Sequence, residues 1–206
     1  MNFNIDVTTN FDKHFKSKSK IVISQGGGRS GKTYAILQCL IIKALTEKNV
    51  VISVVAENMP FLKRGALRDF KDLMISADLW LDKSFNKTDS VYRFKTGSII
   101  EFFSVESPSR ALGSARDYLF VNECNNIKYE TVFQLLARTR KQTYLDFNPV
   151  DEFYVHTEIM QNKEFNGQWE FIQTTFLGNE KLDKTIKETM LARAAKDPNY
   201  KRVYIL

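Results

Sequence analysis

Residues Gly26 to Thr33 read GGGRSGKT and satisfy the spacing G-x-x-x-x-G-K-[ST] in full. No other stretch constrains the chain as tightly, because this pattern works only where a strand delivers the chain into it and a helix carries it away. Both flanks are present. Lys20 to Ser24 (KIVIS) is a short apolar run entering a glycine cluster, which reads as a buried strand feeding a tight turn. From Lys32 onward Ile36, Leu37, Leu40, Ile41 and Ala44 recur at helical spacing, and Lys48-Asn49 offers an end. Val50 to Ala56 is then a continuous apolar run of the kind found in parallel strands covered on both faces. Strand, crossover helix and strand make a βαβ unit and an α/β fold. The bare motif arises by chance in on the order of one chain in a hundred of this length, and its flanks make chance a poor account.

The rest of the chain keeps the same rhythm. Asn58-Met59-Pro60 breaks it, and Leu62, Leu67, Phe70, Leu73 and Met74 predict one amphipathic helix. Tyr92 and Phe94, then Ile100 and Phe102, alternate around Lys95-Thr96-Gly97 and predict an antiparallel hairpin inserted into the α/β pattern. Tyr118 to Val121 and Thr143 to Phe147 predict buried strands, with a helix carrying Tyr129, Val132, Phe133 and Leu136 between them. Trp169 to Thr174 predicts a late strand, and Leu182, Ile186, Met190 and Ala194 a last helix ended by Asp197-Pro198.

The residue types of the loop fit one chemistry. Glycines let successive backbone N–H groups converge on phosphate oxygens and permit positive φ. Because the loop opens a helix at Lys32-Thr33, uncapped amides and the positive dipole end add to the same anion site. Lys32 is expected to reach the β and γ phosphates and the Thr33 hydroxyl to ligate Mg²⁺, so the expected ligand is a nucleoside triphosphate. Arg29 inside the loop is either a solvated side chain or an extra cation for γ-phosphate charge. Hydrolysis also needs a water-positioning group at a neighbouring strand end. YLFVNE supplies it: Tyr118 to Val121 bury a strand, and Asn122-Glu123 emerge at its carboxyl edge, where ligands bind in open α/β sheets. Glu123 is the candidate base. Asn122 stands where an aspartate is more usual; its amide oxygen is left to accept from a metal-bound water or from Thr33, without a charge.

GGGRSGKT, the YLFVNECNNI stretch with its Asn-Glu pair, the YLDFNP run ending in Asn148-Pro149 and the late TTFLGN stretch follow in this order. Together they resemble the N-terminal ATPase domain of bacteriophage terminase large subunits, in the subgroup carrying Asn-Glu at the acidic strand. The likeness covers essentially the whole chain. It implies an ASCE-type P-loop NTPase domain over residues 1–206, with a mainly parallel central sheet, flanking helices and the hairpin insert. It also implies ATP and Mg²⁺ as cofactors, with Gln25, Gly26, Gly27, Gly28, Arg29, Ser30, Gly31, Lys32 and Thr33 around the nucleotide. By the same resemblance Arg29 senses the γ-phosphate, Glu123 is the catalytic carboxylate, Asn122 meets Mg²⁺ directly or through water, and Asn148 couples hydrolysis to domain movement. The implied activity is a motor that threads double-stranded DNA through the portal protein into an empty procapsid, with the small terminase subunit as a further partner, in the host cytoplasm. Members act as homo-oligomeric rings, usually pentamers, in which one subunit's arginine completes the next subunit's site. Arg110 and Arg116 are the candidates, although the usual Arg-Gly pair falls at Leu112-Gly113. The family normally continues into an RNase H-like nuclease domain, so the chain is expected to be a fragment holding the motor. Asp146, Asp151 and Glu152 beside the coupling motif are set aside as a nuclease cluster.

Composition sets the outer limits. Thirty Lys and Arg against 24 Asp and Glu give +6, which tolerates a polyanion without demanding one. Hydrophobic residues at 43% argue against disorder. LIIKAL and VVISVVA fall well short of the ~20 residues of a membrane helix, and the N-terminus lacks the pattern of a signal peptide. Cys39 and Cys124 are read as free thiols. His14 and His156 lack metal-site spacing. Lys13, Lys16, Lys18 and Lys20, and Arg138, Arg140 and Lys141, are either solvated faces or sequence-independent DNA phosphate contacts. Two rival functions remain at this level: a nucleotide-gated switch without sustained turnover, and a small-metabolite kinase.

Overall fold

The computed structural model describes residues 7–106, 115–149 and 151–204. Among these an eight-stranded sheet runs in the order β3-β4-β5-β2-β6-β7-β1-β8. The strands are β1 (Ile21–Gly26), β2 (Val51–Ala56), β3 (Phe85–Asn86), β4 (Val91–Arg93), β5 (Ile99–Ser104), β6 (Arg116–Val121), β7 (Thr139–Phe147) and β8 (Trp169–Thr174). From β5 to β8 every neighbouring pair is parallel, and only the β3-β4-β5 edge is antiparallel. The predicted hairpin is therefore present, with Gly97 at φ 81° in its turn. Its second strand β5 also pairs with β2, so the hairpin is the edge of the main sheet rather than a separate insert.

Helices cover both faces. Val22, Ile52, Val54, Phe102, Phe120 and Tyr144 bury one face under α2 (Lys32–Thr46) and α4 (Ala66–Ser76), while Ile23, Val55, Leu119, Val121, Leu145 and Phe147 bury the other against α5 (Tyr129–Ala137) and a π-helical turn at Val155–Met160. Burial on both faces is why the strands read as continuous apolar runs. The single helix predicted after Pro60 is two, α3 (Met59–Arg64) and α4, broken at Gly65, whose φ −104° and ψ −107° lie outside helical geometry. Pro198 ends α6 (Lys184–Lys196) as expected but also opens α7 (Pro198–Tyr204), since a first helical turn has no use for the missing N–H. No helix among the described residues is long and apolar enough to cross a membrane.

A short helix not foreseen from the sequence, α1 (Thr9–Lys16), is capped by the Thr8 side chain. It carries part of the N-terminal lysine cluster, and Lys13 Nζ donates to the Gln173 carbonyl while Lys16 pairs with Asp12. Arg140 and Lys141 likewise meet Asp117 and Glu47 at 3.7 and 2.5 Å. His14 of α1 is fully buried, with Nδ1 2.6 Å from the Asn10 carbonyl and Nε2 2.8 Å from Ser24 Oγ on β1. A carbonyl can only accept, so Nδ1 donates to it; burial disfavours the charged ring, and the neutral form lets Nε2 accept from Ser24 Oγ. Burial holds its pKa below 6.5. The unfolded chain then binds the proton more readily, and His14's contribution to stability, complete above pH 6.5, is lost as pH falls below it. We expect the unfolding free-energy difference between wild type and His14→Gln to shrink from pH 7 to pH 5 in parallel denaturant titrations.

Candidate nucleotide site

Three parallel strands build the site from their carboxyl ends. In the register of β1 with β7, Ser24 lies beside Asp146 and Gln25 beside Phe147; in that of β6 with β7, Val121 lies beside Leu145. Strand β7 thus sits between the loop strand and the acidic strand. Asp146 and Asn148, two residues apart, project from the same side of it. That side is covered by α2, whose first residues are Lys32 and Thr33.

The contacts follow from this placement. Lys32, only 7% exposed, donates from Nζ to Asn148 Oδ1 at 2.8 Å, and Thr33 Oγ1 donates to Asp146 Oδ2 at 2.8 Å. From the other side Asn122 Nδ2 and the Glu123 backbone N–H donate to Asp146 Oδ1 at 3.0 and 2.7 Å. Asp146 has no solvent exposure. A buried carboxylate is tolerated only when hydrogen-bonded, and bonds to charged groups contribute roughly 1.5–3 kcal/mol each. The sequence reading offered Asn122 as a partner for Thr33; instead Asn122 turns its NH₂ to Asp146, and Thr33 bonds to Asp146 directly. Asp146 is the residue whose role at this site the sequence reading missed. The signal was a lone charge in the apolar run YLDF, in step with Asn148 on one face.

The loop itself is preorganised for an anion. Gly31, at φ 77°, caps α2 without any side-chain capping bond, so the first amides of the helix are not occupied by a side chain. At Gly26 an added Cβ would sit 2.1 Å from Thr174 Oγ1 and 2.6 Å from its carbonyl oxygen, so only glycine lets the loop leave β1 beside β8. Asn179, from the TTFLGN stretch, donates to the Arg29 carbonyl at 3.0 Å. On the other flank of the loop, an added Cβ at Gly27 would meet the Tyr204 ring and the Val203 carbonyl of α7. Two cavities adjoin this region. One of about 450 Å³ is lined by Thr8, Arg29, Gly31, Tyr34 and Asn179 among others, and one of about 730 Å³ by Gln25, Pro149, Gln173 and Arg202 among others.

Backbone strain gathers at the same place. Five non-glycine described residues have positive φ, and Asn49, Asp78 and Ser90 are ordinary turn formers. The other two are Arg29 and Glu123, at φ 67° and 50°. Neither side chain favours that region, and strain of this kind, of order 1–3 kcal/mol per residue, collects at functional sites. Glu123 Oε2 accepts from Asn126 Nδ2 at 3.3 Å. Burial and the nearby Asp146 charge raise the Glu123 pKa, against the pull of Lys32 and the Asn126 bond. Cys124, fully buried with its pKa pushed up by desolvation, has the character of a small hydrophobe.

The arginine candidates part company. Arg116 opens β6 at the end away from Glu123, is 1% exposed and stacks its guanidinium over Phe103 at 5.7 Å. Its guanidinium is thus enclosed within the chain, away from the surface that an arginine acting on a neighbouring subunit would need. Arg110 lies outside the described residues.

The family model described as phage terminase large subunit matches residues 18–206. Among solved structures, the large terminase of the thermophilic bacteriophage D6E superposes with a TM-score of 0.78 at 19% identity, covering 98% of this chain and 53% of that one. The large terminase ATPase domain of Thermus phage P74-26 gives 0.68 at 10% identity, covering 97% and 92%. The bacteriophage HK97 large terminase gives 0.67 at 10%, covering 91% and 46%. At these identities the likeness is one of fold, and the chain spans about half the length of the D6E protein. No curated protein matches the sequence.

Carbon-detected NMR of the nucleotide-free protein is expected to place the Glu123 carboxyl titration above the ordinary 4.5. Lys32→Met should raise it further, because the cation that favours the ionised form is removed.

Proposed function

The chain belongs to the phage terminase large-subunit family, and from that premise we propose that it is an ATP-hydrolysing motor domain that couples hydrolysis to the movement of double-stranded DNA into a procapsid. One observation carries this reading: the loop residues Lys32 and Thr33 and the acidic pair Asn122-Glu123 converge on the end of the single strand that lies between them. The D6E large terminase, which shares the fold, has been crystallised with ADP and with ATP-γ-S.

The triphosphate lies along Gly26 to Thr33, where the loop amides, the helix dipole and Lys32 favour negative charge. The cavity beside Gly31 and Tyr34 is of a size to receive the nucleoside. Arg29 is exposed in the loop, and its proposed role is to meet γ-phosphate charge. The donor suits Mg²⁺: the Thr33 hydroxyl is a hard oxygen ligand, of the kind that an ion retaining waters and phosphate oxygens takes from the protein. When bound, Mg²⁺ neutralises charge on the β and γ phosphates. Glu123 orients the attacking water and takes its proton, a task for which a raised carboxyl pKa is better matched than an ordinary one. Asn148, bonded to Lys32, is placed to sense whether the lysine is engaged with phosphate and to pass that state along β7. A pentameric ring, an arginine supplied in trans by Arg110, and docking to the portal protein and small subunit complete the proposal.

Glu123→Gln should bind ATP-γ-S as tightly as wild type while turnover falls by about 10²-fold or more, the size of a lost general base. A switch without sustained turnover would show no such loss. Wild-type turnover should rise on adding double-stranded DNA and lose that rise at high salt, as phosphate contacts do; a metabolite kinase would ignore DNA. Turnover per subunit should also increase with protein concentration as rings assemble, and Arg110→Ala should flatten that dependence while Arg116→Lys leaves it in place.

A further inference from the structure

A P-loop site that carries asparagine at its acidic strand lacks an anionic partner for its metal ion at that position, and the structure shows where the charge has gone. Thr33 bonds to the strand beside it: its hydroxyl donates a hydrogen bond to Asp146 Oδ2. Donating in that direction fixes the rotor and leaves the hydroxyl lone pairs free to bind a cation. The other Asp146 oxygen accepts from Asn122 and from the Glu123 amide. Asn122 therefore behaves as a donor that holds a carboxylate in place. Its side chain is 4% exposed and its NH₂ is engaged. Asp146 has no exposure, so water does not screen its charge directly.

We infer that Asp146, on the strand between the loop strand and the acidic strand, is the carboxylate that orients the Thr33 hydroxyl toward Mg²⁺ and balances the ion's charge from behind it, and that Asn122 positions Asp146 instead of serving the ion. The charge has been moved sideways by one strand. Adjacent parallel strands in register make this exchange available, because residues 122 and 146 come to the same level of the sheet on the same side. A second carboxylate at position 122 would place two anions in hydrogen-bonding distance, so neutrality at 122 follows from the charge at 146.

This inference rests on the nucleotide site proposed above, and the test separates the two. Wild type, Asp146→Asn, Asn122→Ala and the exchanged pair Asn122→Asp/Asp146→Asn are titrated with ATP-γ-S by calorimetry, with and without Mg²⁺. Mn²⁺ binding to each protein–ATP-γ-S complex is followed by electron paramagnetic resonance. Asp146→Asn is expected to keep metal-free nucleotide binding and to lose roughly 10- to 100-fold in Mn²⁺ affinity, the range for removing a group that orients or balances a bound metal. Asn122→Ala should lose less, and the exchanged pair should recover most of the wild-type affinity. Should Asp146→Asn fail to fold by circular dichroism, the exchanged pair, which preserves the charge count, carries the comparison against Asn122→Ala. Unchanged Mn²⁺ affinity in Asp146→Asn, or a larger loss in Asn122→Ala than in Asp146→Asn, overturns the assignment. If wild type itself binds no ATP-γ-S, it is the nucleotide reading that fails.

Discussion

A single buried carboxylate ties the working parts of this domain together. Asp146 accepts one hydrogen bond from the loop helix through Thr33, one from the acidic strand through Asn122 and one from the backbone N–H of Glu123. It lies in a sheet interior where an unpaired charge would cost several kcal/mol. The loop helix and the acidic turn therefore cannot drift apart without stranding that charge. The same arrangement makes the site sensitive: anything that draws Thr33 toward a ligand alters what Asp146 offers Asn122 and Glu123. The loop helix and the Glu123 turn are thereby linked within one shell of hydrogen bonds.

The strained residues fit this picture. Arg29 and Glu123 are held in left-handed conformations by neighbours on other elements, Asn179 through the Arg29 carbonyl and Asp146 through the Glu123 amide. Such strain persists only where surrounding structure over-determines it. It keeps both side chains off the regular path of the backbone. The positions that bear it belong to the loop and to the acidic turn, while the core strands beneath are regular and buried on both faces.

Much of this was legible in the chain. Motif spacing and the alternation of apolar runs gave the βαβ start, the acidic strand and the late strand Trp169–Thr174 within a residue or two, because fully buried parallel strands must be apolar along their whole length. Gly65 and Pro198 were harder. A glycine inside a periodic helix signal is compatible with continuation or a break, and Pro198 marks an end as readily as a beginning, so α3 with α4 and α6 with α7 needed packing to be resolved. The α1 helix escaped notice because its lysines mask a short apolar face, whose burial comes from His14 and Phe11 meeting other elements.

The phosphate-loop motif was legible in the sequence, since a glycine-rich turn with Lys32 and Thr33 is a local device: backbone amides, a helix start and two side chains all lie within eight positions. The partners of those residues were not. Asp146 is 113 positions from Thr33 and 24 from Asn122, and its side chain could equally have faced solvent for all that the string YLDFNP reveals. Strand order decided it. By placing β7 between β1 and β6, the sheet set a charged side chain within hydrogen-bonding reach of the helix that follows β1 and of the turn that follows β6, and set Arg116 at the far, buried end of its strand. Sequence spacing measures distance along the chain, whereas hydrogen bonds and charge pairing depend on distance through space, and only the order in which strands pair converts one into the other.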